Sequence, residues 1–206
     1  MTTSALSFQT GARAGKREAS RSDDPDRDVI ELIARGRDVK ALRLVMARHG
    51  RSLYRYCHEQ LRDAALAEDV LQQVFVSAHR GLAQFKGEST LRSWLIGIAR
   101  HRVLDAARPL ARLRACVDEA EAAELPDPRP WPDEVLDEQR VRDAVREALD
   151  ELDEPVRTAV LLRYQQGFTF EAMAEICGEK PSTLQARVAR AMPRLQARVI
   201  DKLARR

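Results

Sequence analysis

Five prolines fall between residues 109 and 132 (Pro109, Pro126, Pro128, Pro130 and Pro132), among the carboxylates of Asp118, Glu119, Glu121, Glu124 and Asp127. Proline fixes φ, lacks an N–H and pushes the residue before it toward extended backbone. Helical periodicity therefore stops here, whereas apolar residues recur at three- and four-residue spacing on both sides. The pattern predicts an all-α chain of two small helical domains joined by an acidic, Pro-rich linker. The domains are placed at residues 28–108 and 136–206, with the linker at 109–135. Strand-like alternation is almost absent. Residues 1–27, rich in Ser, Thr, Ala, Gly and Arg and ending in SDDPDRD, are expected to be a disordered tail.

Charge follows the same division. Residues 39–115 carry fourteen Lys/Arg against six Asp/Glu, residues 116–154 four against fifteen, and residues 155–206 ten against four. Two basic helical modules on a carboxylate-rich linker suit binding to a polyanion. The plainer reading, solvated faces, leaves unexplained why the basic blocks coincide with the helical patterns. Cys57, Cys116 and Cys177 are widely spaced and odd in number, which predicts a reducing cytoplasm and no disulfide framework. No apolar run reaches membrane-spanning length and the N-terminus has no secretory apolar core, so no membrane insertion is expected.

In the first domain, helices are predicted from about Asp28 to a break at Arg35-Gly36-Arg37, from Val39 to His49 with Leu42, Val45 and Met46 inward, and from Arg51 to Arg62 with Leu53, Tyr54, Cys57 and Leu61 inward. Glu68 to Arg108 reads as helix, short loop, helix. Ser89 is the expected N-cap of the second of these. Leu91, Trp94, Leu95 and Ile98 make its apolar face. Ser93, Gly97, Arg100, His101, Leu104 and Arg108 fall on the opposite, cationic side, and Arg102 with Asp105 reads as a partly buried ion pair.

The runs Glu68-Asp69-Val70-Leu71-Gln72-Gln73-Val74-Phe75, Phe85-Lys86-Gly87-Glu88-Ser89 and Trp94-Leu95-Ile96-Gly97-Ile98-Ala99-Arg100-His101 resemble region 2 of the extracytoplasmic-function (ECF) sigma factors. These are small promoter-recognition subunits of bacterial RNA polymerase, of the sigma-70 family. The resemblance implies that Asp69, Gln72, Gln73 and Phe75 face the clamp helices of core RNA polymerase, with a core position as the competing reading of Phe75. It also implies that the loop carrying Phe85, Lys86, Gly87 and Ser89 holds a flipped base of the −10 strand, whose unstacking costs a few kcal/mol. Arg100, His101 and Arg108 would track that strand's backbone. Trp94 is read as core, with a wedge that stacks on a base as the competing reading.

In the second domain a helix is predicted from Asp133 to Leu152. Another begins after Asp153, with Pro155 in its first turn and Val156, Val160, Leu161 and Tyr164 inward. Thr169 to Ile176, a turn at Gly178, and Pro181 to Arg198 form a helix-turn-helix pattern. Leu161-Leu162-Arg163-Tyr164, the run Gly167 to Glu175 and the run Thr183 to Ala191 resemble region 4 of the same family, which reads the −35 element. Lys180, Ser182, Thr183, Gln185, Ala186, Arg187 and Arg190 are the residues this implies for −35 DNA, with Arg187 and Arg190 on phosphates. Lys180 stands where a capping Ser or Thr is usual, Gln185 where a basic residue is, and His101 where an Asn is. Pro193 is expected to kink or end the last helix.

Together these features predict a non-enzymatic, cytoplasmic sigma factor. Its expected partners are core RNA polymerase, promoter DNA and an anti-sigma factor. The histidines His49, His58, His79 and His101 lack metal-ligand spacing, so no cofactor or metal is expected. Two rivals remain. A stand-alone helix-turn-helix regulator requires a ligand or receiver domain before residue 150, and a helical interaction protein leaves the basic blocks unused. In the free protein the linker carboxylates are expected to lie against the basic faces.

Overall fold

The computed structural model of the chain describes residues 25–115 and 138–204, and the side chains of all of these but 109–115. Of the expected tail, residues 1–24 lie outside the described residues, as do the linker carboxylates and Trp131, the one tryptophan of that polar linker. Residues 25–27 depart from the expectation: Asp26 is buried and bonded to His49 Nε2 at 3.0 Å, and the first helix starts at Arg27. Among the described residues there are helices and no strands.

The first half contains α1 (Arg27–Ala34), α2 (Asp38–Leu61), α3 (Ala64–Leu82) and α4 (Leu91–Ala115). α1 ends where Gly36 takes φ +67°, as the Arg-Gly-Arg break predicts. α2 is one helix and not the two expected, because it passes straight through Gly50. A glycine inside a helix costs roughly 1 kcal/mol relative to alanine. Burial of Ala41, Val45, Leu53, Tyr56 and Cys57 on one stripe outweighs that. Met46, expected inward, is exposed although the helical wheel places it beside that stripe.

Asp63 caps α3, its Oδ1 accepting from the Leu66 N–H at 3.0 Å. The cap of α4 is Thr90 and not Ser89: Thr90 Oγ1 accepts the Ser93 N–H at 3.1 Å, while the Ser89 hydroxyl turns to the Thr90 carbonyl. α4 then continues past Pro109 to Ala115. Proline there leaves only the carbonyl of exposed Asp105 without a helical partner, and water can serve it. Arg102 does not pair with Asp105. It donates to Ser77 Oγ on α3 at 2.9 and 3.2 Å, and exposed Asp105 pairs with Arg108 at 3.1 Å.

The second half contains α5 (Glu138–Asp150), α6 (Glu154–Val160), α7 (Phe170–Cys177) and α8 (Pro181–Ala204). α6 runs into a π-helical turn, Leu161–Gln165. The wider turn shifts the register, so Leu161 and Leu162 are both buried, while Tyr164, expected inward, is exposed. α8 packs on α5, α6 and α7. Its buried stripe of Leu184, Val188, Ala191 and Leu195 is the predicted one, and it continues to Val199 and Leu203. Pro193 neither ends nor interrupts the helix. Both Pro193 and Ala189, whose carbonyl loses its partner, are exposed to water.

The halves touch through α2 with α6 and through α4 with α7. This seam is polar at its named contacts. Gln60 Nε2 donates to Thr158 Oγ1 at 2.8 Å, and Ser52 Oγ donates to Gln166 Oε1 at 2.7 Å. Arg92 reaches the Gln166 carbonyl and lies 4.7 Å above the Phe168 ring. Gln166 is only 2% exposed, and these partners make its burial affordable.

Candidate nucleic-acid interface

α3 presents one wet stripe and one dry one. Asp69, Gln72, Gln73 and Val76 are exposed along the former; Val70, Val74 and Ala78 are buried along the latter. Phe75 is half-buried and packs against the core beside Gly50, where an added Cβ would stand 3.7 Å from its Cζ. Three of the four residues expected to face a protein partner therefore share an exposed surface, and the fourth sits at its edge.

The loop between α3 and α4 hangs on an aromatic pair. Phe85 and Trp94 lie 5.3 Å apart, tilted at 48°. The Trp94 indole in turn lies over Gly81, where a Cβ would come within 2.8 Å of Cζ2. Gly81 thus permits a close approach that any other residue would block. Lys86 and Gly87 are exposed beyond the anchored Phe85, and Gly87 takes φ +69°. The expected base-holding loop is therefore short, turned by glycine and fixed at one end.

The cationic side of α4 is not open. Ser93 and Gly97 are buried, Arg100 and His101 are half-buried, and α7 packs on α4. Arg100 Nε is buried with no hydrogen-bond partner. Burial pushes the Tyr56 phenol and the Cys177 thiol up, against the pull of the Arg100 charge, while the hydrogen bond from Arg187, with Arg100 adding to it, holds the Glu179 carboxyl low. Burial, then the Arg100 charge, holds the His101 imidazole below its ordinary 6.5. Arg108, farther along, is exposed on its pair with Asp105.

The helix-turn-helix is α7, the turn and α8. Thr169 caps α7, its Oγ1 accepting the Ala172 N–H at 3.3 Å, and Gly178 closes it in the left-handed region at φ +70°. On α8, Ser182, Thr183, Gln185, Ala186 and Arg190 are exposed together, as is Lys180 just before it. These short side chains and one long cation form a face that a major groove can accept. Arg187 departs from that face. Its fork grips the Glu179 carboxylate at 2.8 and 2.6 Å. No group of three His, Cys, Asp or Glu side chains that could hold a metal occurs among the described residues.

Residues 45–113 match the family model of sigma-70 region 2, and residues 142–195 that of sigma-70 region 4. Over 185 residues the chain is 30% identical to the ECF RNA polymerase sigma factor SigM of Mycobacterium tuberculosis, covering 86% of this chain and 87% of that one. The chain belongs to the ECF sigma factors of the sigma-70 family. This ECF sigma factor is also 27% identical over 179 residues to the RNA polymerase sigma-H factor of Pseudomonas aeruginosa, covering 82% and 91% of the two chains. Its fold resembles the sigma factor RpoE of Bartonella quintana, solved in complex with the anti-sigma factor NepR. That match has a TM-score of 0.60 at 26% identity and covers 80% and 98% of the two chains. As an alternative sigma factor, the protein directs promoter-specific transcription initiation.

Sequence reasoning missed Gln60, Thr158, Gln166 and Arg92. Each is polar and reads as surface in a periodicity scan. The one available signal was Gln60 lying in register with the apolar stripe of α2, one turn after Tyr56.

Proposed function

We propose that the sigma factor divides its work between its halves. The domain at residues 28–108 docks on the clamp helices of the polymerase through Asp69, Gln72 and Gln73, with Phe75 beneath them. The loop Phe85–Ser89 holds a flipped base of the −10 strand, and Arg100, His101 and Arg108 follow that strand's phosphates. The domain at residues 136–206 reads the −35 element with Ser182, Thr183, Gln185 and Ala186, while Lys180 and Arg190 contact its backbone. The linker placed at 109–135, whose first residues to Ala115 continue α4, spans the distance between the elements. The chain supplies no catalysis and no cofactor of its own, acts in the cytoplasm, and is held in check by an anti-sigma factor, as RpoE is bound by NepR.

The observation that carries this reading is the open face of α8. It offers short polar side chains and Arg190 with no acid among them, on a helix whose opposite stripe is fully packed. A helix so arranged can enter a groove without leaving its own core. The test is run-off transcription with purified core polymerase on a library of promoter fragments. Initiation from a subset of fragments that depends on the added protein is the expected result. Failure of the protein to bind core polymerase in gel filtration overturns the reading.

A further inference from the structure

α8 begins without a side-chain cap. Lys180 precedes it, and a lysine has no acceptor to offer the first-turn N–H groups. The Lys180 carbonyl takes the N–H groups of Thr183 and Leu184 at 3.1 and 3.2 Å. α3 and α7, by contrast, begin on Asp63 and Thr169 side chains that do accept.

A different fastening stands in its place. Glu179, in the turn itself, reaches forward across eight residues to Arg187 in the second turn of α8. The contact is bidentate, Nη1 to Oε1 at 2.8 Å and Nη2 to Oε2 at 2.6 Å, with side chains 29% and 21% exposed. Two parallel charge-assisted bonds fix a direction as well as a distance. The turn is thereby tied to the helix it introduces, which is what a cap does by another route. The same contact uses one of the two forking edges of the guanidinium and places a carboxylate beside the other. If Arg187 moved to DNA, Glu179 would be left half-buried, unpaired and close to phosphates of its own sign. Arg190, one turn on, differs. It is exposed, donates Nε to the Ala186 carbonyl, and takes part in no ion pair among the described residues.

We propose that Glu179 is a positioning residue of the −35 reader: it holds Arg187 as a brace that sets the angle of α8 and withdraws that arginine from the phosphates. The proposal rests on the reading of α8 as the DNA-contacting helix. It corrects the expectation that Arg187 and Arg190 serve alike. It also gives the helix a built-in acid that replaces a missing cap.

The test uses the full chain with a fluorescent duplex of mixed sequence, titrated at several salt concentrations, and thermal unfolding of the same variants. Each phosphate contact adds about 0.9 to the slope of log K against log salt concentration. Arg190→Ala should flatten the slope by about that amount. Arg187→Ala should leave it unchanged, and Glu179→Gln, which frees a cation, should steepen it by about one contact. In unfolding, Glu179→Gln and Arg187→Ala should lower the midpoint alike, and the double variant should be no worse than either alone, because both remove one interaction. Flattening by Arg187→Ala equal to that by Arg190→Ala overturns the proposal, as do additive losses in the double variant. A slope moved by no variant, Arg190→Ala included, overturns the DNA-reading role of α8 itself and the proposal with it.

Discussion

Gln60 on α2 and Thr158 on α6, 98 residues apart in sequence, meet at 2.8 Å with both side chains buried. Gln60 also takes Arg157 Nε on its carbonyl oxygen at 3.3 Å, and the Thr158 hydroxyl is bonded in turn to Glu154. The two halves are thus joined by groups that each need their partner, since a buried polar atom left alone costs about 1–3 kcal/mol. Thr158→Val leaves the Gln60 amide unmatched and should loosen the seam by about that amount. Small-angle scattering of the free protein should then report a larger radius of gyration, with helical content unchanged by circular dichroism. Gln166→Ala keeps the backbone carbonyl that Arg92 reaches but removes the Oε1 that accepts from Ser52 at 2.7 Å and from Arg92 at 3.2 Å, and should act the same way.

Gly81→Ala should damage the loop carrying Phe85. The added methyl comes within 2.8 Å of the Trp94 indole, which cannot move without losing its contact with Phe85. Overpacking of this kind costs roughly 1–3 kcal/mol. The unfolding midpoint should fall, and Trp94 fluorescence should shift toward that of a wetter ring. Trp94→Ala should also lower stability, by about 3–5 kcal/mol at most given its half-buried state.

Gln185→Ala should relax base preference at one −35 position without changing the salt slope. Gln185 is exposed on the outer face of α8 and carries no charge. A bidentate amide contact to a base is worth about 1–3 kcal/mol of discrimination. Competition of single-base variants of a responsive promoter, measured with holoenzyme, checks it.

Stability should depend on pH through His101. Its folded value lies below 6.5, first because of burial and then because of Arg100. As pH falls through 6.5 the unfolded chain takes up a proton before the folded one does. The unfolded state binds more protons in that window, so unfolding free energy rises with pH there and levels off above it. Denaturation curves at pH values on both sides of 6.5 should show this rise. His101→Asn should flatten it.

The helices were legible because apolar periodicity is a local property. The stripes on α3, α4 and α8 follow from their residues alone, and so does the open face of α8. What escaped depended on a local change of helix type or on partners elsewhere in the chain. Tyr164 turned outward because a π-helical turn shifted its register, which a fixed 3.6-residue wheel cannot represent. Arg102 left Asp105 for Ser77, a partner on another helix. Arg187 looked like Arg190 until the turn brought Glu179 round to it. The exposure of Asp69, Gln72 and Gln73 on α3 was readable, whereas the half-burial of Arg100 was not, since it lies among groups far off in sequence, Tyr56, Cys177 and Glu179.

That burial has a kinetic meaning. α7 belongs to the same chain as the surface it packs on, so it competes for that surface at an effective concentration that dilution cannot lower. A phosphate strand approaching Arg100 must displace an occupant that is always nearby. A partner that gripped α3 and α8 at once and held the halves apart would remove the occupant. Access to Arg100 would then report simultaneous engagement of both ends of the molecule. A single polyanion met in passing cannot supply that.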